Sequence, residues 1–425
     1  PIAVFNAFLE RLHAVRVLDP ACGSGNFLYM ALLALKDLEH EANVWASGAL
    51  GVPIQFPRVG PEAVLGIELS PYAAELARVV IWIGEIQWML SHGFAYARDP
   101  ILKPLDTIEQ RDALLDLRDP ESPAEAQWPS ATCIIGNPPF LGGKLLRRGL
   151  GDDYVDALFA VFKGRVPKEA DLCCYWHEKA RGMVEAKSVQ RVGLLATQSI
   201  RGGANRRILE HVKRTGDIFL AWDDEPWVLD GAAVHISFVG FDDGSEDEHV
   251  LDGRRVTTIH PDLTSGLDLT VARRLAENAG IAFMGDTKGG AFDINANVAE
   301  RLLAMPNPDG RDNADVVIRR VNARDLTGHP RNAWIIDFGT DMQLEEAALY
   351  EGPFEYVREH VLPQREKNKR AAYSERWWIH AEPRPAMRRA IERLERYVAT
   401  PIHTKHRLFV WLTRDVLPDH AIIVL

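Results

Sequence analysis

Short apolar runs alternate with longer stretches of helical periodicity through the first two thirds of this chain of 425 residues. Strands that alternate with helices are typical of a parallel sheet covered by helices on both faces. The runs predicted as strands are residues 15–19, 63–69, 132–136 and 192–197, and the helices between them include residues 26–38 and 72–90. The pattern therefore predicts an α/β fold.

Two further apolar runs, at residues 217–222 and 234–239, are separated by too few residues for a helical crossover. We therefore expect them to pair as antiparallel strands. This ending departs from a nucleotide-binding dehydrogenase, in which a helix would connect two parallel strands.

The pattern changes beyond residue 284, where Gly285, Gly289 and Gly290 interrupt it. Residues 316–321, 334–338 and 408–412 then predict strands, and residues 344–397 predict long helical segments. We therefore expect a first domain at residues 1–284, a mainly helical region at residues 285–400 and a third region at residues 401–425. The apolar end at residues 421–425 has the pattern of a strand cut within a sheet, and the chain starts with Pro1. We expect it to be part of a longer protein.

Composition narrows the class of protein. A hydrophobic content of 47% is enough for a large core, and no apolar stretch reaches the ~20 residues of a membrane span. No signal peptide is recognisable. The spacing of Cys22, Cys133, Cys173 and Cys174 fits no metal site, so we expect reduced thiols in a cytoplasmic protein and no bound metal.

The net charge of −11 argues against a protein that coats nucleic acid indiscriminately, but the cations cluster. Residues 365–396 contain ten Arg and Lys residues near Tyr373, Trp377 and Trp378. We expect the half at residues 365–378 to contact phosphates. For residues 388–396, a phosphate contact and a solvated helix face paired with glutamates remain equally open.

The most informative motif is Asn137-Pro138-Pro139-Phe140, at the end of a predicted strand. The two prolines remove two backbone donors, which leaves the Asn137 amide oxygen and the Pro138 carbonyl as acceptors. Two acceptors that hold both hydrogens of an amino group turn its lone pair toward an electrophile, and Phe140 offers a face for a base to stack on. The motif predicts methyl transfer to an exocyclic amine. A simple turn that closes a strand is the alternative.

A glycine loop follows the first predicted strand. Gly23 and Gly25 allow a tight turn and the close approach of a ligand. Leu28 stands where the dinucleotide fingerprint has its third glycine, which counts against a pyrophosphate ligand. S-adenosylmethionine has no phosphate and needs only the close approach, so we predict it as the cofactor.

Carboxylates at predicted strand ends complete the candidate cofactor site. Glu68 can accept both ribose hydroxyls, with a helix cap as the alternative. Asp112 is placed to accept from the adenine amino group of the cofactor, although an aspartate at a helix start would have the same pattern. Asp19 faces the methionine ammonium or orders the loop. The neighbouring residues assigned to the same site are Ala21, Asn26 and Leu69.

In this order, the motifs resemble the γ-class N6-adenine DNA methyltransferases, and among them the MmeI-like type II restriction-modification enzymes. The residues that carry the resemblance are 19–26, 136–144, 171–176, 197–203 and 363–366. It implies a Rossmann-like class I methyltransferase sheet of seven strands, one of them antiparallel, followed by a C-terminal α+β spacer and a recognition region whose last part is truncated here.

The resemblance also implies functional roles. Asn137 and Pro138 would hold the target amino group, Phe140 would stack on a flipped adenine of double-stranded DNA, and the cofactor would contact Asp19, Gly23, Gly25, Glu68 and Asp112. Such enzymes usually carry an N-terminal nuclease, and the 18 residues before Asp19 leave no room for one, so whether a nuclease lies on a missing N-terminal segment stays open. Glu185-Ala186-Lys187 fits the end of a helix better than a nuclease metal site. The cofactor-binding segment usually found upstream of the glycine loop is not recognisable.

Six cations near the motif, Lys144, Arg147, Arg148, Arg201, Arg206 and Arg207, are candidates for contacts with flanking phosphates or are ordinary surface charges. Two other functions stay open. One is a methyltransferase for protein glutamine or RNA, since the same pocket takes other amines. The other is a DNA-binding defence component without catalysis.

Overall fold

The structure is a computed structural model that describes residues 1–94, 105–119, 122–229, 232–268, 272, 275–367 and 371–425. Contacts divide the chain into two compact units, Pro1–Ala272 and Arg273–Leu425. Each unit has an apolar core of its own: one large cluster in the first unit is built around Leu18, Ile134 and Leu194, and the cluster of the second unit is built around Phe292, Ile335 and Tyr397. The functional boundaries predicted after residues 284 and 400 stay predictions.

The first unit alternates strands and helices as the sequence predicts. Its strands, within the described residues, are β1 (Val17–Asp19), β2 (Val64–Glu68), β3 (Ile108–Gln110), β4 (Leu115–Asp116), β5 (Ala124–Glu125), β6 (Cys133–Gly136), β7 (Arg191–Thr197), β8 (Asp217–Leu229), β9 (Ala232–Asp242), β10 (His249–Leu251) and β11 (Arg254–Val256). Its helices, within the same residues, are α1 (Ile2–His13), α2 (Asn26–Leu50), α3 (Pro71–Ser91), α4 (Leu146–Leu150), α5 (Asp152–Val161), α6 (Cys173–Glu185) and α7 (Arg206–Thr215).

Among the described residues, the main sheet has nine strands in the order β11-β10-β8-β9-β7-β6-β1-β2-β3. Five neighbouring strands of this sheet are parallel, in the order β7, β6, β1, β2 and β3. Strand β9 runs antiparallel to both β7 and β8, so the predicted antiparallel pair of β8 and β9 is confirmed. The predicted number of seven strands is too small. The hairpin β10–β11 continues the sheet beyond β8 and so supplies partners for an edge that would otherwise stay open.

Local sequence explains where the first helices begin and end. Gly25 precedes α2 with φ +84°, and α2 extends to Leu50, beyond the predicted end at residue 38, until Gly51 adopts φ +66°. Helix α3 begins with Pro71, and the Ser70 hydroxyl accepts from the Ala73 amide. The parallel strands thus end at one edge of the sheet, where Asp19, Glu68 and Gly136 are the last residues of β1, β2 and β6.

The second unit contains, in its described part, two sheets of four strands, with the orders β12-β19-β16-β17 and β13-β15-β14-β18. The strands are β12 (Phe283–Met284), β13 (Asp293–Ile294), β14 (Val317–Val321), β15 (Ala333–Ile336), β16 (Arg396–Pro401), β17 (Val410–Thr413), β18 (Val416–Pro418) and β19 (Ile422–Val424). The last strand, β19, pairs with β12 on one side and β16 on the other.

The prediction of long helices between residues 344 and 397 is wrong. Helices of this unit, within the described residues, are α8 (Ala296–Leu303), α9 (Ala323–Thr327), α10 (Leu344–Ala347), α11 (Glu351–His360), α12 (Leu362–Arg365), α13 (Ala371–Glu375) and α14 (Pro385–Ile391). Proline breaks the pattern, because Pro363 and Pro385 lie in the first turns of α12 and α14 and cannot continue a preceding helix. None of the described helices is long and apolar enough to cross a membrane.

Candidate active site

A cavity of about 560 Å³ opens at the carboxyl edge of the parallel strands, within the first unit. Its wall includes Ala21, Glu68, Leu69, Asp112, Asn137 and Pro139, all of which the sequence assigns to the candidate site. The other residues in the wall are Pro20, Ile67, Arg111, Ala113, Gly149, Leu150, Tyr154, Leu172 and Trp176. The glycine loop's neighbours and the Asn-Pro-Pro-Phe motif therefore meet at one cavity of a size typical for small ligands.

The glycine turn is held by Glu68. Its Oε2 atom accepts from the Gly23 amide at 2.9 Å, and its Oε1 atom accepts from the Ser70 amide at 2.8 Å. Gly23 has φ +54°, and the space that a Cβ would occupy there is open. At Gly25 a Cβ would lie 3.0 Å from Ala77 Cα, so this glycine lets α3 approach the turn. The cap of α3 is Ser70 rather than Glu68, and each oxygen of Glu68, although it already accepts from one amide, keeps a lone pair that can accept a further hydrogen bond.

Asp19 lies beneath the glycine turn and is 1% exposed. Its Oδ1 atom accepts from the Ala21 amide at 3.0 Å, so the carboxyl orders the loop. A Cβ on Gly136 would lie 2.5 Å from the same oxygen, so only glycine fits there. Burial raises the pKa of Asp19 to about 7, since charge is costly without water. Asn26, the first residue of α2, is exposed.

Asp112 is fixed in the cavity wall by three donors. Its Oδ1 atom accepts from the amides of Leu114 and Leu115 at 2.7 and 3.0 Å, and its Oδ2 atom accepts from the Tyr154 hydroxyl at 2.9 Å. Burial, followed by the negative charge of Asp112, raises the pKa of Tyr154 well above its usual range. Asp112 lies between β3 and β4 rather than at the start of a helix, so that alternative is wrong.

In the Asn-Pro-Pro-Phe motif, the Oδ1 atom of Asn137 is buried and has no hydrogen-bond partner among the described residues. Pro138 is buried and Pro139 is exposed. Phe140 is half-buried and packs against the large core of the first unit. Burying an acceptor without a partner costs about 1–3 kcal/mol, so a donor that reached this oxygen would recover that free energy.

Sequence reasoning did not assign Tyr154 or Trp176 to the site, although both line the cavity. Trp176 is 7% exposed, and its Nε1 donates to the Pro20 carbonyl at 3.0 Å, across 156 residues of sequence. The signal that could have assigned Trp176 to the site is its position in the segment 171–176, which carries part of the family resemblance. No local pattern indicates which strand end the indole reaches.

Three of the six cations near the motif are neutralised by carboxylates. Arg147 pairs with Asp152 and Asp156, Arg201 with Asp223 and Asp224, and Arg206 with Glu210. Lys144, Arg148 and Arg207 form no ion pair within the described part of the chain. These three remain candidates for a phosphate contact.

The expected phosphate contact at residues 365–378 is wrong for Arg365, which is 2% exposed. Its guanidinium donates to the carbonyls of Ile379 at 2.8 Å and Lys288 at 2.7 Å, and it lies over the ring of Phe292. Trp378 is also buried. Sequence reasoning missed this because a core arginine and a surface arginine look alike in a cationic segment. Lys369 and Arg370 lie outside the described residues.

Arg388, from the other half of that segment, is likewise structural. Its guanidinium bridges the buried carboxylates of Asp286 and Asp337 at 2.9 and 2.6 Å. In the first unit, Glu185 ends α6, as predicted for the Glu-Ala-Lys sequence. Across the described residues no three His, Cys, Asp or Glu side chains form a metal-holding group, and the four cysteines are free.

Comparisons with known proteins agree with the fold and the motifs. Residues 3–252 match the family model of the MmeI DNA-methyltransferase domain. DNA methyltransferase A of Bacillus subtilis strain 168 is 28% identical over 281 residues, which are 63% of this chain and 31% of that protein. A putative type II restriction enzyme and methyltransferase of Methanocaldococcus jannaschii is 27% identical over 84 residues, 20% of this chain and 7% of its own.

Among solved structures, the type IIL restriction-modification enzyme MmeI in complex with DNA superposes with a TM-score of 0.72 at 19% identity. The match covers 99% of this chain and 58% of the MmeI chain, so the chain spans only part of the relatives it matches. The predicted class I methyltransferase fold and the resemblance to MmeI-like restriction-modification enzymes are confirmed. Because the family model covers more than half of its length, the chain belongs to the MmeI DNA-methyltransferase domain family.

Proposed function

We propose that this domain transfers the methyl group of S-adenosylmethionine to the N6 amine of an adenine flipped out of duplex DNA. The observation that carries the proposal is the buried Oδ1 atom of Asn137, which lacks a hydrogen-bond partner within the described residues. Asn137 lines the same cavity as Glu68 and Asp112. An amino group that enters the cavity would supply the missing donor.

The motif can activate an amine without forming a covalent intermediate. The Asn137 amide oxygen and the Pro138 carbonyl would accept the two hydrogens of the amino group, and they would stabilise the positive charge that develops on nitrogen. The nitrogen would form its bond to the methyl carbon as the bond between that carbon and sulfur breaks, S-adenosylhomocysteine would be the leaving group, and the nitrogen would lose one proton to water. Phe140 is half-buried and would offer a ring face on which the base could stack.

The cavity fits the cofactor. Gly23 leaves open the space that a side chain would fill, and Glu68 and Asp112 offer acceptors for hydroxyl and amino groups. When bound, S-adenosylmethionine supplies a methyl group on a positively charged sulfur, which is a strong electrophile. The apolar side chains of Leu69 and Trp176 line the same cavity and would limit the access of water.

A surface of the second unit supports DNA as the polymer that is bound. Residues 396–414 contain no Asp or Glu, in a chain whose net charge is −11. In the connection between β16 and β17, Lys405 and Arg407 are exposed, and within the described residues neither forms an ion pair. Trp411 on β17 is 61% exposed, with the Arg396 guanidinium 4.4 Å from its ring. Cations interleaved with aromatic rings suit phosphates and bases.

The test is methyl transfer by an Asn137→Ala variant, measured with tritium-labelled S-adenosylmethionine and adenine-containing duplexes. We expect transfer to fall at least ~100-fold, because one preorganised acceptor is lost. The matched control is Asn43→Ala, which removes a buried and paired asparagine about 25 Å along α2 from the site. Full transfer by Asn137→Ala would refute the proposal.

The same assay separates the alternatives. Label in glutamine peptides or RNA, but not in duplex DNA, would favour a methyltransferase for protein glutamine or RNA. Label in cytosine would show that the target base is cytosine and not adenine. Titration calorimetry with S-adenosylmethionine tests the inactive component, which should give no heat. We also propose that the protein acts in the cytoplasm, where its DNA substrate is found. A nuclease on another segment of a longer protein is a further proposal from the resemblance.

A further inference from the structure

The segment 169–176 joins the two halves of the candidate site. The Leu172 amide donates to the Leu141 carbonyl at 2.8 Å, directly after the Asn-Pro-Pro-Phe motif. The Trp176 indole donates to the Pro20 carbonyl at 3.0 Å, directly before the glycine turn. Both Leu172 and Trp176 also line the cavity. A shift of this segment would therefore move the motif relative to the cofactor side of the cavity.

Asp171 is the polar centre of this segment. Its Oδ1 atom accepts from the Gly143 amide at 3.0 Å. Its Oδ2 atom accepts from the Ser199 hydroxyl at 2.6 Å, from Asn205 Nδ2 at 2.9 Å and from the Thr197 hydroxyl at 3.2 Å. Its own amide donates to Asn205 Oδ1 at 2.8 Å. A carboxylate is an acceptor-only group, so it can satisfy all four donors at once.

The donors come from different parts of the sheet edge. Gly143 follows β6 and the Asn-Pro-Pro-Phe motif, Thr197 ends β7, and Ser199 belongs to the short 3-10 helix that follows β7. Strands β6 and β7 are neighbours, paired in parallel from Cys133 to Gly136. Asp171 therefore ties the loop after β6 to the end of the adjacent strand. No described cation forms an ion pair with it, so neutral donors alone hold the charge.

The loop fits this segment without any spare room. A Cβ on Gly143 would lie 2.1 Å from the Glu169 carbonyl oxygen and 2.9 Å from that of Ala170. Glycine is therefore the only residue that lets the loop lie flush against residues 169–170. Gly143 is therefore fixed in two ways: its amide donates to the Asp171 carboxylate, and its lack of a side chain allows the close packing against residues 169–170. Gly143 lies three residues after Phe140.

We infer that Asp171 is a positioning residue for methyl transfer. It acts through Gly143 on the loop 141–143, and so fixes the direction in which Asn137 and Pro138 present their acceptors. The inference rests on the proposed function, since it assumes that these acceptors hold the target amine. We assign Asp171 to the rate of the transfer step and not to cofactor binding, because the side-chain hydrogen bonds of Glu68 and Asp112 involve neither Asp171 nor its partners.

Asp171→Asn tests this inference. The amide has nearly the same volume, but its NH2 group faces donors where the carboxylate had accepted. We expect the single-turnover rate to fall about 100-fold, as for a misplacement of about 1 Å. The dissociation constant for S-adenosylmethionine, measured by calorimetry, should stay within about threefold, and so should the KM for cofactor, because the loss lies in preorganisation and not in binding. Ser199→Ala, which removes one donor, should have an intermediate rate.

Asp242→Asn is the matched control. Asp242 is 1% exposed and also accepts from three neutral donors, the amides of Gly244 and Glu246 and the Ser245 hydroxyl. It ends β9 opposite Arg191, which begins β7, so it lies at the other edge of the sheet. We expect Asp242→Asn to lose comparable thermal stability and to keep its transfer rate.

Three results would overturn the inference: an unchanged single-turnover rate in Asp171→Asn, a cofactor affinity that weakens as much as the rate, or an equal loss of rate in Asp242→Asn. If Asp171→Asn does not fold, the double variant Thr197→Val with Ser199→Ala takes its place under the same criteria. Methyl transfer by the wild-type protein distinguishes a failure of the positioning role from a failure of the proposed function. Failure to label adenine in the wild type refutes the function, whereas a labelled wild type with an unaffected Asp171 variant refutes only the positioning role.

Discussion

A single methyl group added at Gly143 should disable methyl transfer, whereas the same addition at Gly142 should not. At Gly143 a Cβ would lie 2.1 Å from the Glu169 carbonyl oxygen, while real Cβ contacts stay above 3.0 Å. The loop would therefore have to retreat by about 0.9 Å. At Gly142 a Cβ would be 3.7 Å from Asp171 Oδ1, and the backbone there, with φ −64° and ψ 144°, suits alanine.

The magnitude follows from the size of this displacement. A misplacement of about 1 Å in a catalytic group costs roughly 100-fold in rate, which corresponds to about 2.7 kcal/mol of transition-state stabilisation. Overpacking should also lower the free energy of unfolding by about 1–3 kcal/mol. Gly142→Ala should change the rate less than about threefold, since it creates an ordinary van der Waals contact.

The assay is single-turnover transfer of tritium from S-adenosylmethionine to adenine-containing duplex, with enzyme in excess. Urea denaturation of both variants measures stability separately, so that unfolding is not mistaken for a slow chemical step. If Gly143→Ala and Gly142→Ala transfer at the same rate, the tight seat of the loop against residues 169–170 has no role in catalysis.

Three further predictions concern charge and burial. Burial lowers the pKa of His177 to about 4, so between about pH 6.5 and 4 this histidine binds more protons in the unfolded state, and its contribution to stability falls with pH by up to about 1.4 kcal/mol per pH unit. His177→Asn should remove this contribution, so the stabilities of the two proteins from urea denaturation should diverge across that range, and parallel curves would contradict the prediction. Lys405→Gln with Arg407→Gln should reduce the slope of log affinity against log salt for duplex DNA by about 2 in fluorescence anisotropy, whereas the control Arg301→Gln with Arg324→Gln, two other exposed cations of the second unit, should not. Equal slopes for both pairs would exclude this surface as a phosphate contact. Arg365→Met should lower the free energy of unfolding of the second unit by about 2–5 kcal/mol, because the carbonyls of Ile379 and Lys288 lose their donor. It should leave the slope of log affinity against log salt for DNA unchanged, and a reduced slope would show that Arg365 contacts a phosphate.

Much of the first unit could be predicted because its signals are local. Apolar runs locate β1, β2, β6 and β7, and glycine or proline marks the turns after them. Parallel strands all end at one edge, so motifs at their carboxyl ends must meet there, and Glu68 and Asn137 do line one cavity. The roles of the individual residues in this cavity stay predictions.

The second unit was harder to predict, since its segments alternate over short distances and depend on long-range pairing. The prediction from helical periodicity over residues 344–397 gave too little weight to Pro363 and Pro385, which divide the segment into short helices. The charge pattern of the second unit did not show which arginines are exposed. A run of arginines fits a phosphate surface, but Arg365 and Arg388 are paired inside the unit with groups that are distant in sequence.

The sequence alone determined the order of the main strands and helices in the first unit and the edge of the sheet at which the two motifs meet, because periodicity, backbone freedom and strand direction act over a few neighbouring residues. Only the tertiary structure decided which polar groups are paired. It alone shows that Asp19 is buried under the glycine turn, that Trp176 reaches Pro20 and that the Asn137 oxygen is left without a donor within the described residues. Hydrogen bonds between distant segments depend on distances of a few ångströms, which no local pattern encodes.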